Sequence, residues 1–419
     1  MVVCPPYDII SHRQQHLYHQ KHPDNAIRLD FGLTSPGDDE RENRYTRAAD
    51  LLKEWMAEKV ILPEAVPAVY QLREEYRAPG GGAAVREGLI AAIRLSPFEE
   101  GKILPHEETS PGPKQDRLRL IEATEANLSP IFCLYSDPDD VIAHLINEAD
   151  AVAEEKLTDE AGARHFLRVL KGDDVEAALS ALAAKTLLIA DGHHRYETML
   201  AYRDARRAAE HAVGGQPYDF TMAYLTNMDN DSRWILPVHR FVSSLPPEAV
   251  SSFLESLTQE FEIRDLSGGK AGQRQKMMQA MAEMSRERNT FGLYIADSDS
   301  YHILVARQPR PILPDAGGRS VAYRSLDVAV LDELVLASVL GSGHNSTGSG
   351  ARVDFIERTG AAFRKIDRHR REFQVGLFVN NVNMAEIKAV AEASEKMPSK
   401  STYFYPKPLT GLVFRSLNI

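Results

Sequence analysis

The sequence predicts a mixed α+β (α/β) protein of more than one domain, and three observations carry that prediction. Strand-like runs and amphipathic helical stretches alternate along the whole chain. Several strands meet across hairpin signals, which a purely doubly wound parallel sheet lacks. The chain has 419 residues, and at about 150 residues per domain that length suits two or three domains, each with its own core.

The elements follow in order. Ser11 is placed to cap a short polar helix ending before Pro23. AIRLDFG (Ala26 to Gly32) alternates apolar and polar residues and reads as a strand. Between Glu40 and Val60 the apolar positions Tyr45, Ala48, Leu52, Trp55 and Met56 fall at helical spacing. AVYQLREEYR and VREGLIAAIRLS flank APGGGAA and predict a hairpin. ILPHEETSPGPKQDR is Pro-rich and polar, so it predicts a loop, with a helix from LRLIEATEA. IFCLYSD predicts a strand, and a helix is expected after it to about Glu155. HFLRVL, LLIADG and FTMAYLTNM predict further strands, and HHRYETMLAYRDARRAAE an amphipathic helix directly after LLIADG. The remainder predicts helices near 247–260, 270–288, 326–340 and 384–396, with strands at FGLYIAD, YHILVAR and VGLFVN. SGHNSTGSG (Ser342 to Gly350) reads as a mobile loop, and Arg352 and Asp354 after it as an ordinary ion pair. The best domain break falls after Phe241, giving domains 1–241 and 242–419, with the final strand able to pack back on the first.

Charge and composition narrow the function. Asp+Glu 60 outnumber Lys+Arg 49, a net charge of -11, which argues against duplex DNA as the main partner because phosphate neutralisation needs a basic surface. No apolar run approaches the roughly 18 residues that span a bilayer, so no membrane partner is expected. MVVCPPYDII lacks the basic start of a secretory signal. Two cysteines, Cys4 and Cys133, make no disulfide framework, so free thiols and a cytoplasmic location are expected. Cys133 lies in an apolar strand and Cys4 has no cue for a depressed pKa, which makes both poor nucleophiles. Walker A, G-x-G-x-x-G and G-x-S-x-G patterns are absent from the chain.

The strongest chemical signal is LLIADGHHRYETML. A buried strand ends in Asp191-Gly192 and a helix begins within two residues. Gly192 permits a tight turn and close approach of a ligand to the backbone. The helix start favours an anion. Arg195 adds a planar donor fork, and His193 and His194 add donors that titrate near neutrality. Two plainer readings stand beside this one. Asp191 could simply cap the helix with exposed histidines, or Asp191, His193 and His194 could ligate a metal. Adjacent histidines point about 100° apart on a helix, which makes shared ligation of one ion awkward.

The second signal is HEETSPGPKQDR, residues 106–117. It gathers a potential base, a hydroxyl and two cations, though a charge run is often a solvated face. The third is MPSKSTYFYPKPLTGLVF, where Lys400, Ser401 and Thr402 follow a helix and Lys407 lies between two prolines. Contacts to phosphate or a terminal structural strand both fit that run.

PPYDII at 5–10, HEET at 106–109, DGHHRY at 191–196 and MPSKSTYFYPK at 397–407 occur in one order. That order resembles the bacterial family called domain of unknown function 1015, over nearly the whole chain. Members usually carry further residues, including a first strand, before PPYD, so the resemblance implies a shortened N-terminus here. The family is similar in turn to the ParB/sulfiredoxin-like group, in which a strand–turn–helix motif holds nucleotide phosphates, as ADGHHR would. Sulfiredoxins carry a catalytic cysteine where this chain has His193, so sulfur-acid repair is not expected. No helix-turn-helix module of the ParB kind is evident.

Free serine kinases belong to the same superfamily. The resemblance therefore implies nucleotide-dependent phosphoryl transfer to a small hydroxyl compound, with free serine giving O-phosphoserine as the leading case. ATP or ADP and Mg²⁺ are the implied cofactors, and a homodimer is compatible with the sequence. Glu107 or Glu108, beside His106, are the catalytic candidates, with the glutamate as base toward the hydroxyl. Asp191, Gly192, His193, His194, Arg195, Arg117 and Lys400 are the cofactor-binding candidates. The competing functions are a nucleotide-binding regulator without turnover and a phosphohydrolase acting on a small phosphorylated metabolite. If phosphoryl transfer holds, the HEET loop is expected to fold over the start of the DGHHR helix.

Overall fold

A computed structural model describes residues 1–79, 81–109, 111–230, 235–245, 247–310, 313–315, 317–337 and 351–418. The chain is a mixed α+β protein that divides into two compact units. One comprises Met1–Pro105, Thr109–Asp231 and Pro406–Ile419; the other comprises His106–Glu108 and Ser232–Tyr405. The division falls ten residues before the break expected after Phe241, because Val238–Ser243 is a strand inside the second unit's sheet. The glycine-rich stretch 342–350 lies outside the described residues.

The first unit is built on an eight-stranded mixed sheet. Its strands are β1 (Val69–Arg77), β2 (Ala83–Arg94), β3 (Ile103–Leu104), β5 (Ile131–Tyr135), β6 (Ala151–Thr158), β7 (Arg164–Leu170), β8 (Leu187–Asp191) and β9 (Phe220–Asn227), while Ala126–Asn127 forms a separate short β4. The order is β3-β8-β5-β9-β2-β1-β7-β6. Only β3–β8 and β5–β9 run parallel; the hairpin β1–β2 and its neighbours are antiparallel, as the sequence predicts. Its main core packs Ile131, Cys133, Leu187 and Ile189 from the strands against Tyr196, Met199 and Tyr202. The last three lie on one face of the helix His193–Glu210. Both thiols are free and buried, Cys133 with its pKa pushed up to about 12 by burial.

The helices of this unit, in chain order, are α1 (His12–Lys21), α2 (Ile27–Asp30), α3 (Arg44–Ala57), α4 (Pro111–Thr124), α5 (Val141–Glu148), α6 (Asp173–Ala183) and α7 (His193–Glu210). Ser11 caps α1 through a reciprocal capping box with Gln14. The chain's end returns to this unit: Arg415–Ser416 pairs with Asn127 and Ala126 of β4, and Cys4 bridges Thr410.

Three expectations are corrected here. AIRLDFG is helical over α2, not a strand. The Asn25 carboxamide accepts the Ile27 N–H at 3.0 Å and starts the turn, which local alternation of Ile27 and Leu29 does not reveal. PGPK is not loop but the opening of α4; proline suits a first helical turn, where its missing N–H would have no partner. The helix expected to reach Glu155 stops at Glu148, and Ala151–Thr158 is the edge strand β6, exposed along nearly its whole length. With neither face buried, its sequence carries no alternation to read.

The second unit holds a six-stranded antiparallel sheet. Its strands are β11 (Val238–Ser243), β12 (Phe261–Asp265), β13 (Thr290–Ile295), β14 (Ser300–Ala306), β15 (Arg352–Glu357) and β16 (Val375–Phe378), in the order β12-β14-β13-β16-β11-β15. A separate two-stranded pair joins β10 (Ile235–Leu236) to β17 (Tyr403–Phe404). The helix expected over 326–340 is present through the described residues, α-helical over Asp327–Val330 and π-helical over Leu331–Leu336, while 338–340 lie outside the described residues. Asp354 pairs with Lys365 at 2.6 Å, not with Arg352. Phe241, Tyr294, Phe373 and Phe378 centre the core. Among the described residues, no helix is long and apolar enough to cross a membrane.

His239 on β11 is fully buried and its tautomer is fixed by its neighbours. Its Nδ1 accepts the Val379 N–H at 3.3 Å, which leaves Nε2 protonated to meet Thr359 Oγ1 at 3.0 Å. Burial, with Arg240 beside it, lowers its pKa from 6.5 to about 3. Between those two values the unfolded chain binds a proton that the folded one refuses, so stability is present above pH 6.5 and falls as pH drops toward 3. Melting temperature followed across that window should fall with pH in wild type, and fall less steeply in His239→Asn. Parallel curves would show that His239 does not set the slope.

Candidate active site around the start of helix α7

Strand β8 delivers Asp191 to the sheet's end, and Gly192 turns the chain into α7 with φ +90°. The N-cap residue, Gly192, has no side chain with which to cap the helix. A β-carbon at Gly192 would stand 3.0 Å from the Arg195 guanidinium. Glycine is therefore favoured by the left-handed backbone, and the side chain folded back over it leaves a β-carbon little room.

Asp191 is a brace rather than a cap. One carboxylate oxygen accepts from Arg195 Nη2 at 2.8 Å, and the other meets Lys407 Nζ at 2.6 Å. Lys407 also pairs with Asp8 of the PPYD stretch. The Lys407 side chain is 7% exposed, and the two carboxylates outweigh its burial to raise its pKa, so it stays charged. Arg195 Nη1 donates to Ser129 Oγ at 3.0 Å and to the Pro130 carbonyl at 2.5 Å. The Arg195 fork is thus turned into the protein, where it ties the turn to the segment entering β5.

Arg117 is buried and spends its donors internally. It bonds Asp30 through both carbonyl and carboxylate at 2.9 Å, bonds Asp116, and lies 3.9 Å from the centre of the Tyr7 ring. It holds the PPYD segment in place, and burial raises the Tyr7 pKa to about 12. Arg117 and Arg195 line a cavity of about 30 Å³ with Asp30, Asn127, Ser129 and Thr221. That is room for a water, not for a nucleotide.

His193 is buried and His194 half-buried. Tyr196 anchors the helix by hydrogen bonds with both backbone groups of Ser96, at 2.7 and 3.0 Å. One turn beyond His193, Glu197 Oε2 accepts from Thr109 Oγ1 at 2.6 Å and from Lys114 Nζ at 2.9 Å. The Thr109–Lys114 part of the HEETSPGPK stretch therefore meets α7 within the first unit.

His106, Glu107 and Glu108 belong to the second unit. There Glu107 accepts the backbone N–H groups of Lys400, Ser401 and Thr402 at 3.0–3.2 Å, and the Thr402 hydroxyl at 3.0 Å. His106 is buried, with Nε2 2.9 Å from the same hydroxyl. Glu108 is exposed. Lys400 engages Glu107 through its backbone, while its side chain is exposed. Sequence reasoning missed Asp8 and Glu197, and singled out Lys407 only within a run that could contact phosphate. Asp8 does lie in the PPYD motif, the one signal that could have found it. Among the described residues, no group of three or more His, Cys, Asp or Glu side chains is arranged to hold a metal ion.

Two substitutions test this brace. Gly192→Ala should cost about 1–3 kcal/mol of stability through its backbone alone, read as a lower melting temperature; an unchanged melt would contradict the strain. Lys407→Met leaves Asp8 and Asp191 facing each other and should cost about 2–4 kcal/mol, less than breaking a fully buried pair because Asp8 reaches solvent. A denaturant midpoint equal to wild type would show the ammonium to be dispensable.

Comparison with known proteins gives a family and distant structural likenesses. A structure described as free serine kinase in complex with AMP is 14% identical, covers 75% of this chain and 86% of its own, and has a TM-score of 0.36. A conserved hypothetical protein from Pyrococcus furiosus is 12% identical, with 78% and 95% covered and a TM-score of 0.36. SbnI with C-terminal truncation from Staphylococcus aureus is 11% identical, with 77% and 85% covered and a TM-score of 0.34. Likeness at this level carries no residue roles across. No curated protein matches the chain. The family model described as protein of unknown function (DUF1015) matches residues 1–329, the span that contains PPYD, HEET and the braced DGHHR turn, and the chain belongs to that family.

Proposed function

We propose that the protein is a small-molecule phosphotransferase. It moves a phosphoryl group from ATP or ADP to a small hydroxyl compound, with free L-serine giving O-phosphoserine as the first candidate. The same proposal places the first unit with ParB/sulfiredoxin-like nucleotide-binding domains. The observation that supports it is the start of α7: a glycine turn after a buried strand, with two cations anchored on Asp191. A helix start of this kind favours a phosphate, and Lys114 stands one turn along it, with a side chain 37% exposed. Phosphoryl transfer asks a protein mainly for positioning and charge neutralisation. Magnesium would arrive on the nucleotide's phosphates with most of its waters. In the reaction the acceptor oxygen bonds to phosphorus, the bridging P–O bond breaks, the shortened nucleotide leaves, and a carboxylate takes the hydroxyl proton.

Product formation tests the proposal: protein, serine, Mg²⁺ and ATP or ADP should yield phosphoserine by mass spectrometry. Nucleotide bound but not consumed would favour a regulator, and release of phosphate from phosphoserine a phosphohydrolase. Arg195→Ala should weaken nucleotide binding and lower the melting temperature together, because the turn loses the clamp that Arg195 forms on Asp191, Ser129 and Pro130. Calorimetric titration giving equal affinities in the two proteins would remove the helix start from the reaction.

A further inference from the structure

We propose that Glu197 is the carboxylate that takes the proton from the acceptor hydroxyl, an inference that rests on the phosphotransferase reading. Glu197 lies four residues after His193, so it shares that face of α7 and sits about 6 Å along the axis from the helix start. That separation suits a phosphate held at the first turn with an acceptor oxygen beyond it. Glu197 Oε2 already receives a hydroxyl, that of Thr109 at 2.6 Å, which is the geometry a general base needs toward the proton it removes. Lys114 Nζ at 2.9 Å from the same oxygen brings a positive charge to where phosphoryl charge develops.

Of the other carboxylates of the motifs, Glu108 is exposed in the second unit, and the rest have partners of their own. Asp191 is shared by Arg195 and Lys407, and Asp8 is paired with Lys407. Glu107 accepts four hydrogen bonds from residues 400–402. In the proposed step the acceptor hydroxyl takes the position of the Thr109 hydroxyl on Glu197. Its O–H bond breaks with the proton passing to Oε2, its oxygen bonds to the terminal phosphorus, and the bridging P–O bond leaves with the nucleotide.

The test compares wild type, Glu197→Gln and Glu197→Asp for phosphoserine turnover, nucleotide affinity and the pH dependence of kcat. Glu197→Gln should lower kcat by about 100-fold or more, the contribution of a positioned base, with nucleotide affinity little changed. Wild-type kcat should rise with pH to a plateau, while the residual activity of Glu197→Gln lacks that rise. Glu197→Asp should recover part of the loss. A merely structural Glu197 would instead shift affinity and melting temperature and keep the wild-type pH profile. Glu197→Gln at wild-type turnover, or turnover lost in Glu108→Gln while Glu197→Gln keeps it, overturns the assignment. Wild-type protein that makes no phosphoserine overturns the phosphotransferase reading and this assignment with it.

Discussion

The Asp191 carboxylate holds the candidate site together. It faces two cations, Arg195 from the helix that follows its strand and Lys407 from near the chain's end, and through Lys407 it reaches Asp8 near the chain's start. Three stretches far apart in sequence are fixed by one ionic chain, closed on the other side by Ser129 and Pro130 under the Arg195 fork. Partly buried charges persist only when paired, so each member of this chain depends on the others. Gly192 is the backbone counterpart of the same constraint, since its φ of +90° suits glycine and a β-carbon would crowd the guanidinium at 3.0 Å.

This arrangement changes what the cations do. Arginine beside a glycine turn reads as a fork for phosphate, yet Arg195 and Arg117 spend their donors on the protein. Their contribution is to preorganise the turn and the PPYD segment. Lys114 keeps access to solvent, and the phosphate would meet the helix start that Arg195 holds in shape. Preorganised dipoles of this kind favour developing charge without reorganising when it appears.

Much of this was legible in the sequence. The hairpin, the strand LLIADG and the helix after it follow from periodicity and local punctuation, and the structure has them. The short helix α2 was hidden because Ile27 and Leu29 mimic strand alternation, while the decisive contact is the Asn25 side chain accepting the Ile27 N–H. The opening of α4 was hidden because prolines read as loop even where a first turn tolerates them. The candidate site was legible as motifs but not as partners. Nothing local says that Asp8 and Asp191 meet on Lys407, or that Thr109 and Lys114 meet on Glu197. Nor does local pattern separate the histidine and glutamate at 106 and 107, which bond the 400–402 segment in the second unit, from the threonine at 109 in the first. Such pairings are set by tertiary folding, and periodicity carries no trace of them.

The central claim is that the braced start of α7 receives a nucleotide phosphate. Hydrogen exchange of the backbone amides, measured with and without saturating ADP, reads that contact directly. The account predicts slowed exchange concentrated at Gly192–Tyr196. Binding that leaves those amides unchanged and protects residues elsewhere would contradict it.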